Sequence, residues 1–215
     1  MPELSLTVLC CIAALNFASA GDGLEEGTAE EGKRADVQEG RSAREEGASL
    51  VMDFVEGAKG WRNIDDVVMG GVSSSRISIA KGLAVFEGKV SLENNGGFAS
   101  VRSEPQDHDL SKAKGLLLRV RGDGKRYAFR LRTSASYDGI SYESRFKTVA
   151  GKWMTIDLPF DTFRPVYRGR QVRGADPLDL KSIKTFGFMI SDNQVGKFKL
   201  EIDWIRAYMP DTARQ

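Results

Sequence analysis

The sequence predicts an all-β fold, a sandwich of short strands. Three observations carry this reading. From Ser49 onward, short apolar runs bounded by glycine, proline, serine or asparagine recur at the spacing of β domains. No stretch shows the 3.6-residue period of an amphipathic helix three turns long. The last two runs, Phe186 to Ile190 and Phe198 to Tyr208, are nearly continuous in β-formers, as strands central to a sandwich are.

Taken in order, Arg76 to Ile79 and Leu83 to Gly88 read as a hairpin turning at Lys81-Gly82. Lys89 to Leu92 and Phe98 to Ser103 flank Glu93-Asn94-Asn95-Gly96-Gly97, read as a hairpin turn with a ligand-contacting loop as the alternative, whose Asn-Gly pair readily takes positive φ. Gly115 to Arg121 and Tyr127 to Thr133 give the clearest hairpin signal, joined through Gly122-Asp123-Gly124-Lys125. Its alternation sets Leu116, Leu118, Val120, Tyr127, Phe129 and Leu131 apart from Arg119, Arg121, Arg130 and Arg132. If the arms pair, four arginines share one face. Tyr142 to Thr148 continues the series, and Trp153 to Leu158 is a strand ended by Pro159, which supplies no ladder donor. Asp161 to Pro177 reads as an irregular, arginine-rich loop, and loops of that length are usually functional or mobile.

The strands occupy only part of the 215 residues. Residues 1–20 form a signal-like apolar leader ending in Ala18-Ser19-Ala20, a small-x-small cleavage pattern. Residues 21–48 read as a disordered acidic linker, with nine acids and four bases and too little apolar bulk to offset its chain entropy. A strand-rich domain spans 49–210, and 211–215 is a tail. The overall charge of +1 therefore conceals an asymmetry: Ser49 to Gln215 holds 27 bases against 20 acids. The leader points to export into a secreted, periplasmic or lumenal space, because no arginine-rich, acid-poor presequence precedes Lys33.

Both cysteines, Cys10 and Cys11, lie in the leader, so the domain has neither disulfide nor thiol nucleophile. His108 is the sole histidine, which excludes a metal site built from several histidines or cysteines. There is no phosphate loop ending in Gly-Lys-Ser/Thr and no nucleophile elbow. A carboxylate-based glycosidase would have to draw on Asp65, Asp66, Glu87 or Asp203. No cofactor is expected, and the aromatic-studded motifs of RNA-binding sheets are missing, so no nucleic acid partner is expected either.

The most informative stretch is Trp61-Arg62-Asn63-Ile64-Asp65-Asp66-Val67-Val68-Met69-Gly70-Gly71-Val72-Ser73-Ser74-Ser75. It resembles the opening signature of the complex I intermediate-associated protein family. The likeness continues in Phe86-Glu87-Gly88, Asn95 to Arg102, Leu158-Pro159-Phe160, Arg168-Gly169-Arg170, Phe186 to Ile190 and Ile202-Asp203-Trp204-Ile205. This resemblance implies a galactose-binding-like jelly-roll β-sandwich acting as a binding protein in complex I assembly, with complex I subunits or assembly intermediates as clients. It also implies mitochondria as an alternative location to export. A second function class is an exported carbohydrate-binding module or sugar-active protein, which an exposed aromatic platform would favour. The chain is read as a monomer.

Candidate partner-binding residues are Trp61, Asn63, Asp65, Asp66, Met69, Gly70, Gly71 and Ser73 in the signature, with Arg119, Arg130, Arg132 and Arg145 on the arginine face and Arg168 and Arg170 in the long loop. Asp65 and Asp66 read first as caps of backbone amides, since adjacent side chains on an extended strand diverge. The arginines suit bidentate grip of carboxylates or phosphates, against the alternative of a solvated sheet face. On that reading, alanine at Arg130 and Arg132 weakens client binding with little loss of stability. Trp61, Trp153 and Trp204 read as core anchors rather than sugar platforms.

Overall fold

The computed structural model describes residues 45–55 and 60–210. The apolar leader, the acidic linker up to residue 44 and the tail 211–215 lie outside the described residues. Thirteen strands form two antiparallel sheets among the described residues. The first runs β3 (Ser74–Ala80), β4 (Leu83–Val90), β13 (Gly196–Tyr208), β6 (Gly115–Arg121) and β9 (Trp153–Pro159), with β1 (Ser49–Asp53) also paired to β13. The second runs β11 (Arg170–Gln171), β10 (Arg164–Tyr167), β8 (Ser141–Lys147), β7 (Arg126–Arg132), β12 (Thr185–Ile190), β5 (Ala99–Ser103) and β2 (Trp61–Asn63). This is the expected all-β jelly-roll sandwich.

Its core follows from strand alternation. Phe86, Leu116, Leu118, Val120, Leu200, Ile202 and Ile205 of the first sheet face Phe129, Leu131, Phe186, Phe188 and Ile190 of the second, and all are fully buried. Each such side chain contributes roughly 1.5–3 kcal/mol on burial. Within the second sheet the rings of neighbouring strands pack together, Phe129 of β7 lying 5.0 Å from Phe188 and 6.0 Å from Phe186 of β12. β12 is buried along its whole length and β13 is flanked on both sides, which explains their near-continuous apolar runs.

The β3–β4 hairpin is as expected, with positive φ at both Lys81 (55°) and Gly82 (76°). Three other readings are corrected. β6 and β7 do not pair. β6 lies between β13 and β9, β7 lies between β8 and β12, and the Gly122–Lys125 link crosses from one sheet to the other. The apolar faces of the two arms therefore oppose each other across the core instead of lying side by side. β4 and β5 likewise belong to different sheets, so Glu93–Gly97 is a crossing and not a hairpin turn. The stretch from Asp161 to Pro177 contains a small hairpin, β10–β11, turning at Arg168 (φ 47°) and Gly169 (φ 76°) and paired to β8.

Candidate functional site

The signature begins as strand β2, where Trp61 packs between Phe54 (5.9 Å) and Phe188 (6.0 Å). The chain then leaves the sheet and makes a 3-10 turn over Asp66–Met69, closed by Gly70 at φ 89°. Asp65 and Asp66 both turn inward. Asp65 accepts hydrogen bonds from the amide (2.8 Å) and hydroxyl (2.6 Å) of Ser75 on β3 and from the amide of Ser100 on β5 (3.1 Å). Asp66 accepts from the amide (2.9 Å) and hydroxyl (2.5 Å) of Ser73 and from the amides of Gly97 (2.7 Å) and Phe98 (3.2 Å). The Ser73 hydroxyl in turn accepts from the Ser91 amide at 2.9 Å. Burial pushes the Asp66 carboxyl up, but the donors Ser73, Gly97 and Phe98 outweigh it and hold it below the usual carboxylate range.

Two adjacent carboxylates thus tie β3 of one sheet to the β4–β5 crossing and β5 of the other. Their capping role, one of the expected readings, is the observed one. Asp65, Asp66 and Ser73 are buried, with their side-chain oxygens engaged by protein donors. Gly71 is fixed by the same contact, since a Cβ there would lie 2.4 Å from Oδ1 of Asp66. Asn63 is exposed, its amide donating to Asp65 at 3.3 Å.

What the turn does present is apolar. Val67 is 61% exposed, Met69 63%, Val72 47% and Leu92 44%. Val67 and Met69 lie in the 3-10 turn that Asp66 opens, Val72 precedes Ser73 and Leu92 follows Ser91. Of these only Met69 is among the candidates read from the sequence.

The arginines divide. Arg119 lies on the outer face of the first sheet, 5.7 Å over the Trp153 ring, where Arg121 also stacks at 5.0 Å and pairs with Glu201. Arg130, Arg132 and Arg145 lie on the outer face of the second sheet. The shared four-arginine face therefore does not form, because β6 and β7 are in opposite sheets. Arg130 and Arg145 both bind the buried Glu143 at 2.6 Å, and Arg145 also reaches Asp192 at 2.8 Å. Burial pushes Glu143 up, and the two arginines bring it below its ordinary value. Arg132 donates to the Ser136, Tyr137 and Gly139 carbonyls. Arg168 pairs with Asp138 at 2.7 Å, and Arg170 is exposed on β11.

Strand order adds two arginines that spacing could not find. Arg62 and Arg102 are paired in register, and Arg102 is two strands from Arg130. Burial, with Arg132, Arg130 and Arg62 nearby, lowers Arg102 to about 10. The tryptophans also divide: Trp61 packs on the core as expected, but Trp153 and Trp204 pair in register with outward-facing Arg121 and Arg119, so they are not core anchors. Arg206 covers Trp204 at 4.3 Å. His108 sits against Phe186 at 4.8 Å. Among the described residues no cluster of three His, Cys, Asp or Glu is placed to hold a metal.

Comparison with known proteins bears on both fold and signature. Residues 52–202 match the family model of complex I intermediate-associated protein 30. The chain is 33% identical over 168 residues to an uncharacterized protein of Schizosaccharomyces pombe, covering 68% of this chain and 77% of the other. It is 31% identical over 157 residues to the probable mitochondrial complex I intermediate-associated protein 30 of Caenorhabditis elegans, covering 64% of this chain and 46% of that one. The mouse protein of that name is 33% identical over 105 residues, 47% of this chain and 32% of its own. The chain thus spans less than half the length of these nematode and mouse relatives. Among solved structures, the family 11 carbohydrate-binding module of a Clostridium thermocellum cellulase superposes with a TM-score of 0.59 at 23% identity, over 76% of this chain and 95% of the module. At that identity the likeness is one of fold.

Proposed function

Because the chain belongs to the complex I intermediate-associated protein 30 family, we propose that it is a non-catalytic binding protein of the complex I assembly-factor type, holding a protein client on the surface built over Asp65 and Asp66. The observation that supports this most is the pairing of a rigid base with an apolar rim. The carboxylates fix the 66–75 backbone through buried hydrogen bonds, while Val67, Met69 and Val72 on it, and Leu92 beside Ser91, are exposed. Contiguous exposed apolar residues mark partner surfaces in soluble domains. A preorganised loop also loses little conformational freedom on binding, so more of the contact energy appears as affinity. The clients are complex I components, and the place of action is the mitochondrion, as the relatives' names suggest.

The test is affinity capture from mitochondria with the Val67→Asp/Met69→Asp protein beside wild type. Both side chains are exposed, so folding stability should stay within about 0.5 kcal/mol. Complex I subunits captured by wild type and lost by the variant support the reading; equal capture by both overturns it.

A sugar-binding role draws on Trp153 and Trp204, which lie outside the core. Arg119, Arg121 and Arg206 already occupy ring faces there, which counts against an open platform. Retardation of the protein in a β-glucan gel would favour it.

A further inference from the structure

On the outer face of the second sheet, the register sets Arg62, Arg102, Gly187, Arg130 and Glu143 side by side on five successive strands. Neighbouring strands are about 4.8 Å apart, so Arg102 and Arg130 rise roughly 10 Å apart with only the bare Gly187 backbone between them. Arg132 and Thr185, paired two residues along, close one end of this notch. A Cβ on Gly187 would enter it, 3.9 Å from the Arg130 Cβ, and would press on the Val101 carbonyl at 2.9 Å.

The notch is unevenly charged. Arg62, Arg102, Arg130 and Arg132 are set against Glu143, which is already shared between Arg130 and Arg145. Arg130 directs Nε and Nη2 at Glu143, and Arg102 directs Nη1 at the Tyr137 carbonyl. The remaining guanidinium donors of Arg102, Nη1 of Arg130 and all of Arg62 make no side-chain hydrogen bond among the described residues. The lowered value of Arg102 reflects burial beside these other cations.

We propose that the Gly187 notch binds a phosphate group between Arg102 and Arg130, with Arg62 and Arg132 completing its charge. The Nε and Nη2 fork of Arg102 matches a tetrahedral oxyanion through paired N–H···O bonds, and Nη1 of Arg130 adds a single donor from the other side. Four cations against Glu143 and Asp138, the latter acting on Arg132, still leave more positive charge than a single carboxylate ligand neutralises, so the dianion is preferred. This site goes beyond the client-holding role and does not depend on it.

Calorimetric titration of the full chain at low salt with inorganic phosphate, glycerol 3-phosphate and glutarate tests the proposal. Phosphate should bind, Arg102→Gln should weaken it about tenfold, the loss expected for one charge-assisted hydrogen bond, and Arg62→Gln, which removes a charge beside the notch, should weaken it by a smaller factor that added salt suppresses. Arg62 is exposed, so its variant remains informative even if Arg102→Gln fails to fold. Tighter binding of glycerol 3-phosphate identifies the ligand as a phosphate carried on a larger molecule, and equal binding identifies free phosphate. No heat with either phosphate, unchanged affinity in Arg62→Gln, or a preference for glutarate overturns the assignment.

Discussion

Oδ1 of Asp66 occupies the space that a side chain at Gly71 would need, 2.4 Å from where its Cβ would stand. The two glycines of the signature therefore answer different demands. Gly70 supplies a left-handed backbone at φ 89°, and Gly71 supplies room for a carboxylate.

Gly71→Ala should destabilise the domain by about 3 kcal/mol, the upper range for overpacking. In an Asp66→Ala background the obstructing carboxylate is gone, so the added cost should fall. Urea denaturation of the four proteins in this cycle measures the coupling. Strict additivity would mean that Gly71 is constrained by something other than Asp66.

Asp66→Asn should cost about 3 kcal/mol, because the new amide nitrogen faces backbone donors that the carboxylate satisfied. The pH dependence follows from the same bonds. With its folded carboxyl held below the ordinary 3.8, Asp66 binds fewer protons in the folded than in the unfolded state under mild acid. Its contribution is complete above the unfolded value and is lost as pH falls through the folded one. Glu143, lowered from 4.5, acts in the same direction. Wild-type stability should therefore decline from about pH 5 downward, and less steeply in Asp66→Asn. Parallel acid limbs for the two proteins would refute this.

Arg130 and Arg132 cannot be removed without structural cost, contrary to the solvent-facing reading that alternation suggests. Arg130→Ala leaves the Glu143 side chain, 4% exposed, with Arg145 alone, and loss of one partner from a buried pair costs about 3 kcal/mol. Arg132→Ala releases the 136–139 carbonyls at about 1 kcal/mol or more. Thermal denaturation of each single variant checks this. Binding assays on the double variant would be interpretable only after that check.

For the mitochondrial location, the mature chain isolated from native cells should begin well beyond Gly21, near Ser49, in a mitochondrial fraction. Mass spectrometry of the N-terminus decides it. A start at Gly21 in a secreted, periplasmic or lumenal fraction would favour export.

Local order was legible in the sequence and sheet membership was not. The turn at Lys81-Gly82 needs positive φ at both positions and joins strands that do pair. Gly122-Asp123-Gly124-Lys125 looks equivalent, yet it joins strands from opposite sheets. Alternation cannot separate the cases, because both put one apolar face on each arm. The arginine row has the same origin: Arg62, Arg102 and Arg130 become neighbours only through the order β2, β5, β12, β7. The capping role of Asp65 and Asp66 could be anticipated from their setting among glycines and serines. β1 could not, as a short strand with Leu50 56% exposed has little pattern to read.

The thirteen-residue strand β13 forms the spine of its sheet, holding β4 and β1 on one side and β6 on the other, yet it follows all of them in the chain. During synthesis these earlier strands emerge without their principal partner, and their hydrogen-bonding edges stay open until residue 196 and beyond have been made. Closure must then bridge more than a hundred residues between β13 and the β3–β4 hairpin, a connection that slows folding and prolongs exposure to aggregation. A domain proposed to shelter other polypeptides during their assembly would itself need sheltering while it is being made.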